Sequence, residues 1–431
     1  MGGVVGLWEG AVGNGYPGTH RHHRHIYVKV GASFVCGRSS SYLHSREKRV
    51  SGNMAELIKT LLSFSEQAGE IARAVRQEPQ LFSLLVEEKG EEEKNQRFTH
   101  DFKTLADVLI QEALRYCVAQ AFPVLSEHVR GEESAEFTNT LGETITVMVC
   151  PTQQETAQLL AKVLNDNKEA AEILATLVHS DFKWQPDLEI DKIPSLPIDN
   201  LGIWIDPIDS TGEYVKGDMG VTLGNITQRG LPCVTVLIGV YDRTSGLPVG
   251  GVINQPFAEY NHEKKSWQGK AYWGVSWNST RIHNLPSAPR LSGNESEMAV
   301  VVSSSEDKKL LGQLTASGFK VIFATGAGYK ILAVALGLCA ACLSSKGSTF
   351  RWDTAAPHAL LEAEGGGLVD YKKLYHLYSE QKDVGADALR ELQIRYYEPN
   401  PPPGQKWNNA GGFVAYQDSS ILPRILACLA Q

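Results

Sequence analysis

Cysteine is scarce and scattered. The chain of 431 residues has seven: Cys36, Cys117, Cys150, Cys233, Cys339, Cys342 and Cys428. An odd number without regular spacing excludes a disulfide framework and points to a reducing, cytoplasmic setting. Cys339 and Cys342 form a lone C-x-x-C pair among apolar neighbours (Leu336, Leu338, Leu343). Two small buried side chains explain it better than zinc or redox chemistry. No apolar run reaches membrane-spanning length. No dense basic face appears, and the formal charge is -8, which argues against a nucleic-acid partner. Acidic residues are absent between Ala11 and Arg46, and that stretch has no clean apolar centre, so it is not a signal peptide. Without a secretory route, the glycosylation patterns at Asn225, Asn278 and Asn294 read as chance matches.

What is present is ordinary for a globular enzyme: 42% hydrophobic and 21% charged residues. The length is enough for a large core divided into two lobes. Residues 1–53 differ from the rest. They are rich in Gly, Ser, His and Arg, with His20-Arg-His-His-Arg-His25 in the middle, a run that can hold a metal adventitiously. They read as a disordered leader, or as translated upstream sequence with Met54 as the natural start; a transit peptide is a weaker alternative.

From Met54 the pattern becomes regular. Leu57, Leu61, Phe64, Ala68, Ile71 and Val75 fall on one helix face, with Ser51 or Asn53 as cap. The charged run Glu87 to Lys94 reads as a solvated loop. Phe102 to Tyr116 reads as a helix carrying Asp107. Strands follow at 144–149, 234–240, 250–254 and 271–274, with helices at 154–164 and 168–179. The polar stretch from Asn278 to Glu297 is the expected lobe boundary. Beyond it, strands (298–302, 321–324) alternate with helices, one opened by Ser303 to Glu306 and one at 329–338, the α/β pattern. The expectation is an α+β lobe over 54–290 and an α/β lobe over 291–431.

The chemistry concentrates in Trp204-Ile205-Asp206-Pro207-Ile208-Asp209-Ser210-Thr211. Pro207 removes a backbone donor and fixes one φ, so the segment cannot run on as a regular ladder. A turn there aims Asp206 and Asp209 at one point and frees the Ile208 carbonyl. Hard cations such as Mg2+ take oxygen ligands of this kind, though an isolated acidic pair near a turn is more often a solvated loop. Three more blocks shift the weight: Gly131-Glu132-Glu133-Ser134, Lys103-Thr104-Leu105-Ala106-Asp107, and Trp352-Asp353-Thr354-Ala355-Ala356-Pro357-His358 with Gly365-Gly366-Gly367 behind it.

Together the four blocks resemble the lithium-sensitive, Mg2+-dependent phosphatase superfamily and, within it, the inositol polyphosphate 1-phosphatase branch. The long stretch between Glu133 and Asp206 is similar to that branch. The resemblance implies a layered αβαβα sandwich of the sugar-phosphatase type. It implies two or three Mg2+ ions. Glu132, Asp206 and the Ile208 carbonyl would hold one; Asp206, Asp209 and Asp353 would hold the second, with Glu133 close by. Asp107, Thr211 and Glu132 become the catalytic residues, Thr211 and Asp107 orienting the attacking water. Ser210, Thr211, Gly326, Ala327 and Lys330 become the substrate contacts. The implied reaction is hydrolysis of the 1-phosphate of inositol 1,4-bisphosphate and inositol 1,3,4-trisphosphate, inhibited by Li+, in a monomer acting on a small molecule.

His358 reads as a packed helix residue, not a base. Departures from many relatives are Ser210 in place of Gly, Ala340 in place of Asp, and Pro357, which is expected in the first turn of a helix. Two other functions compete: a 3'(2'),5'-bisphosphate nucleotidase, and a silent inositol-phosphate-binding homologue. The second would lack a ligand or Thr211, and this chain lacks none.

Residues 1–53 carry no acidic block and no regular apolar period. A chain starting at Met54 should therefore keep both melting temperature and turnover, measured beside the full chain. A large loss of either would show that the leader packs on the catalytic lobes.

Overall fold

The structure is a computed structural model. It describes residues 53–77, 82–90, 101–184, 189–286, 298–381, 384–397 and 407–429. Residues 1–52 with the histidine run, Lys94, Asn294, part of the expected lobe boundary and the loop Asn400 to Gly404 lie outside the described residues. Contacts unite Ser51–Gln431 as one unit. Among the described residues, no helix is long and apolar enough to cross a membrane.

Helix α1 (Met54–Gln77) forms where the apolar period predicts, and its Leu57, Leu61, Phe64, Ala68, Ile71 and Val75 are buried. Asn53 caps it, accepting from Glu56 N–H at 2.9 Å. Strand β1 (Val86–Glu88) pairs antiparallel with β2 (Phe102–Thr104). Helix α2 (Leu105–Ala121) follows at once. The helix expected from Phe102 thus starts three residues later. Thr104 and Asp107 form a capping box, which fixes the start after Thr104.

Strand β3 (Val129–Gly131), the hairpin β4 (Glu136–Thr138) and β5 (Thr144–Thr146), and helices α3 (Gln153–Ala161) and α4 (Lys168–His179) lead to β6 (Leu201–Asp209). After it come α5 (Thr211–Lys216) and the hairpin β7 (Val221–Leu223) and β8 (Ile226–Arg229). Four strands then complete a sheet: β9 (Thr235–Asp242), β10 (Pro248–Asn261), β11 (Ser266–Trp277) and β12 (Thr280–His283). Its order is β12-β11-β10-β9-β6-β3. Pairing is antiparallel except between β3 and β6.

The remaining chain is β13 (Ala299–Val302), α6 (Lys308–Ala316), β14 (Lys320–Phe323), α7 (Ala327–Ala335), β15 (Ala341–Ser344), α8 (Arg351–Glu364), β16 (Gly367–Asp370), α9 (Tyr371–Gln381), α10 (Ala386–Leu392), β17 (Phe413–Tyr416) and α11 (Ile421–Leu429). Its sheet runs β14-β13-β15-β17-β16, parallel across the first three strands and antiparallel at β17. Ser303 to Glu306 lies before α6, whose cap is Asp307.

Three apolar clusters separate the layers. One joins α1, α2 and α4 to the first sheet. A second, between the sheets, contains α7 and α8. The third joins the outer face of the second sheet to α6 and α11. This is the mixed, αβαβα layering expected from the resemblance.

Helix α8 lies very close to β9. A Cβ on Gly239 would come within 2.4 Å of Ala355 Cβ and 2.6 Å of its carbonyl carbon. That closeness brings the first turn of α8 to the end of β6. Pro357 is not in that first turn, because the helix starts at Arg351. It sits one turn further in, where it removes the N–H that would bond the Asp353 carbonyl, a loss of about 3 kcal/mol in an ordinary helix.

Gly239→Ala should lower stability by about 1–3 kcal/mol, the usual scale of overpacking, because the neighbour is backbone as well as side chain. Denaturant titration checks this. An unchanged midpoint would mean that α8 can move away from the sheet freely.

Candidate active site

Asp206 and Asp209 close β6, and Asp353 sits in the first turn of α8. One carboxylate oxygen from each lies within 4.8 Å of the other two. Pro207 does not make the expected turn. The chain stays extended, but the β6–β9 register shifts between Asp206 and Asp209. This irregularity puts both carboxylates on the side facing α8. Ser210 then takes a left-handed conformation (φ 72, ψ 44), and α5 starts at Thr211. A left-handed residue is the natural place for Gly, and Ser210 takes that conformation here.

The three carboxylates are not equally satisfied. Asp209 Oδ2 accepts from Gly328 N–H at 2.9 Å and from the Thr235 hydroxyl at 3.2 Å, and Oδ1 accepts from Ala327 N–H at 3.3 Å. Burial still raises its pKa, against the pull of the Lys330 ammonium. Asp353 accepts from Phe350 N–H. It is half-buried as a residue, yet desolvation of its carboxyl, then Asp209 and Glu132, push it well above the usual carboxylate range. Asp206 is 1% exposed, and its Oδ1 has no hydrogen-bond partner. Burial first, then Glu132, Asp209 and Asp353, raise it well above that range too. Like charges brought together in a desolvated site behave this way.

Glu132 and Glu133 follow β3, beside the end of β6. They are outside the 4.8 Å trio, yet Glu132 is the leading charged neighbour acting on Asp206. Lys89 Nζ lies 2.6 Å from Glu132 Oε1 and 2.7 Å from Glu133 Oε1. The charged run starting at Glu87 is therefore not simply solvated: the Lys89 side chain is 3% exposed, and Glu87 accepts from Thr138 N–H. Isolated charges do not bury unpaired, and the Glu132–Glu133 pair is what draws Lys89 in. Burial, opposed by Lys89, lifts Glu133 to about 8.

Asp107 is buried in the first turn of α2. Its Oδ2 accepts from Thr104 N–H at 2.8 Å and from the Thr104 hydroxyl. Burial outweighs these bonds and pushes it up to about 7. Thr211 Oγ1 lies 3.4 Å from Asp107 Oδ1 and 3.0 Å from the Ile208 carbonyl. That carbonyl, expected to be free, accepts the Thr211 hydroxyl. Gly326 (φ 77) precedes α7, and the first amides of that helix go to Asp209. Lys330 is buried one turn on. His358 packs, as expected, with Nδ1 2.8 Å from Tyr396 Oη and Nε2 2.9 Å from Gln393 Oε1.

Sequence reasoning missed Gln111 and Thr235. Gln111 is one helical turn beyond Asp107, and that spacing is the only signal it offers. Thr235 offers none. Lys89 was visible only as one charge among many.

The donors fit a hard divalent cation. They are oxygens from separate segments, one of them an orphaned buried carboxylate oxygen, without histidine or thiol among them. A family model described as "Inositol monophosphatase family" matches residues 53–399. The chain is 44% identical over 396 residues to inositol polyphosphate 1-phosphatase of Bos taurus, covering 88% of this chain and 98% of that protein. It is 42% identical over 395 residues to the Homo sapiens protein of the same name, with the same coverage. It is also similar to 3'(2'),5'-bisphosphate nucleotidase 1 of Homo sapiens, at 27% identity over 74% of this chain and 83% of that protein. By the extent of the family match and the level of identity, the chain belongs to the inositol monophosphatase family.

Proposed function

We propose that the chain is a Mg2+-dependent phosphomonoesterase that removes the 1-phosphate of inositol 1,4-bisphosphate and inositol 1,3,4-trisphosphate. The observation that carries this reading is the convergence of Asp206, Asp209 and Asp353 around an unpartnered, buried Asp206 oxygen. It occurs in a chain 44% identical to an inositol polyphosphate 1-phosphatase. That it is a phosphatase follows from its family and those relatives.

Glu132, Asp206 and the Ile208 carbonyl would hold one Mg2+, and Asp206, Asp209 and Asp353 a second, with Glu133 close by. Bound there, Mg2+ supplies charge relief for the phosphate and a more acidic water. The chain's own residues do the rest. Thr211 aims its hydroxyl at the attacking water, and Asp107 accepts a hydrogen bond from the pair. Ser210, Thr211, Gly326, Ala327 and Lys330 contact the substrate. The Ala327 amide is already given to Asp209, so Lys330 supplies the positive charge on that side. The same reading makes the protein a cytoplasmic, Li+-inhibited monomer acting on a small molecule, with lobes at 54–290 and 291–431.

The direct test is phosphate release from inositol 1,4-bisphosphate, with the product isomer identified, beside an adenosine 3',5'-bisphosphate control. Loss of the 1-phosphate is expected, abolished by chelation and inhibited uncompetitively by Li+. Turnover of the nucleotide alone would move the assignment to the nucleotidases. Turnover that survives exhaustive chelation would remove the metal from the account.

Two substitutions separate ligand from water-positioning roles in a Mg2+ titration of turnover. Asp209→Asn should lower both metal affinity and maximal turnover. Thr211→Ala keeps the carboxylates, so turnover should fall with little change in apparent substrate affinity. The fall should reach about 10²-fold, the cost of a misplaced reacting group. Near-normal turnover of Thr211→Ala at saturating Mg2+ would leave the hydroxyl without a role.

A further inference from the structure

Glu132 and Glu133 are the proposed ligands paired with a lysine, and Glu132 is also the leading charged neighbour of Asp206. Both of their carboxylates close on one ammonium, that of Lys89. The backbone beneath them is held independently. Gln111 Oε1 accepts from Glu133 N–H at 2.9 Å, and Gln111 Nε2 donates to the Glu133 carbonyl. A side chain at position 131 would collide with Gln111, so Gly131 is what lets this amide reach the corner. The peptide is therefore clamped whatever cation neutralises the two acids. Lys89 has a different tether, since it hangs from the end of β1, where its N–H donates to the Asp101 carbonyl. Asp101 and Asp107 also act on its charge.

We propose that Lys89 is a resident counter-ion of the Glu132–Glu133 pair, which gives way when a divalent cation takes Glu132. The ligand-free protein holds its own monovalent charge at the corner, and loading the site exchanges an ammonium for a metal. Three arrangements support the exchange. The corner is rigid through Gln111, so swapping cations needs no backbone change. The incoming ion and Lys89 draw on the same Glu132 carboxylate, whose Oε1 already holds the ammonium at 2.6 Å. The displaced ammonium stays in acidic surroundings beside Asp101 and Asp107, which limits the cost of moving it. The consequence is a metal site whose affinity is set by coupling to an internal cation as well as by its ligands. This inference rests on Glu132 being a metal ligand.

Two measurements on the full chain test it. In the first, wild-type protein is treated with an amine-acylating reagent with and without Mg2+, and modification is read residue by residue by mass spectrometry. Lys89 should be slow to react without metal and several-fold faster with it. Lys59, an exposed lysine paired with Asp191, serves as the unchanging control. In the second, Mg2+ binding is measured by calorimetry for wild type and Lys89→Met. The variant lacks the competitor, so it should bind about tenfold tighter, within the usual range of coupled binding. Labelling of Lys89 that does not respond to Mg2+, in wild type that binds Mg2+, overturns the exchange whatever the variant does. Equal or weaker binding by a folded Lys89→Met also overturns it. Failure of wild type to bind Mg2+ at all would overturn the ligand reading of Glu132 together with the exchange.

Discussion

Three carboxylates, Asp206, Asp209 and Asp353, converge within 4.8 Å in a site where Asp206 and Asp209 are buried and Asp353 is half-buried. Charges of one sign repel strongly in such a place, because little solvent screens them. Holding them there takes features from most of the molecule. The register shift at Pro207 and Ile208 turns two of them the same way. Gly239 lets α8 approach until its first turn delivers the third. The first amides of α7 fix Asp209. Together these features gather oxygen donors of the kind that a hard divalent cation takes.

Internal positive charge relieves only the edges of this arrangement. Lys330 acts on Asp209, and Lys89 on Glu132 and Glu133. The centre, Asp206, has neither a lysine nor a hydrogen bond at Oδ1. That division fits a site in which the flanks are held by the protein and the middle is left to an ion. Burial and the surrounding carboxylates hold both Asp206 and Asp353 well above ordinary carboxylate behaviour.

Much of this was legible in the sequence because residues within one motif are forced together. Asp206, Asp209 and Thr211 sit on a single strand-to-helix passage, and the apolar period of α1 could bury only one face. What was not legible depended on distant partners. Lys89 reads as one charge in a solvated run until Glu132 and Glu133 are placed beside it. Gln111 reads as an ordinary helix residue until the Glu133 peptide meets it. Pro357 reads as a first-turn residue because nothing local shows that Asp353 accepts from Phe350 N–H and starts the helix so early. The strand start at Phe102 was hidden because its partner, Val86–Glu88, lies across a long connection.

If repulsion at Asp206 is the governing constraint, removing one charge there should stabilise the protein while spoiling its response to metal. The measurement is the melting temperature of wild type and Asp206→Asn, without divalent ions and then with Mg2+, at constant ionic strength and mildly alkaline pH. The account predicts that Asp206→Asn melts higher than wild type without metal, and that Mg2+ raises wild type, through binding to the folded state, far more than the variant. A variant that melts lower without metal, or that gains as much from Mg2+ as wild type does, would contradict it.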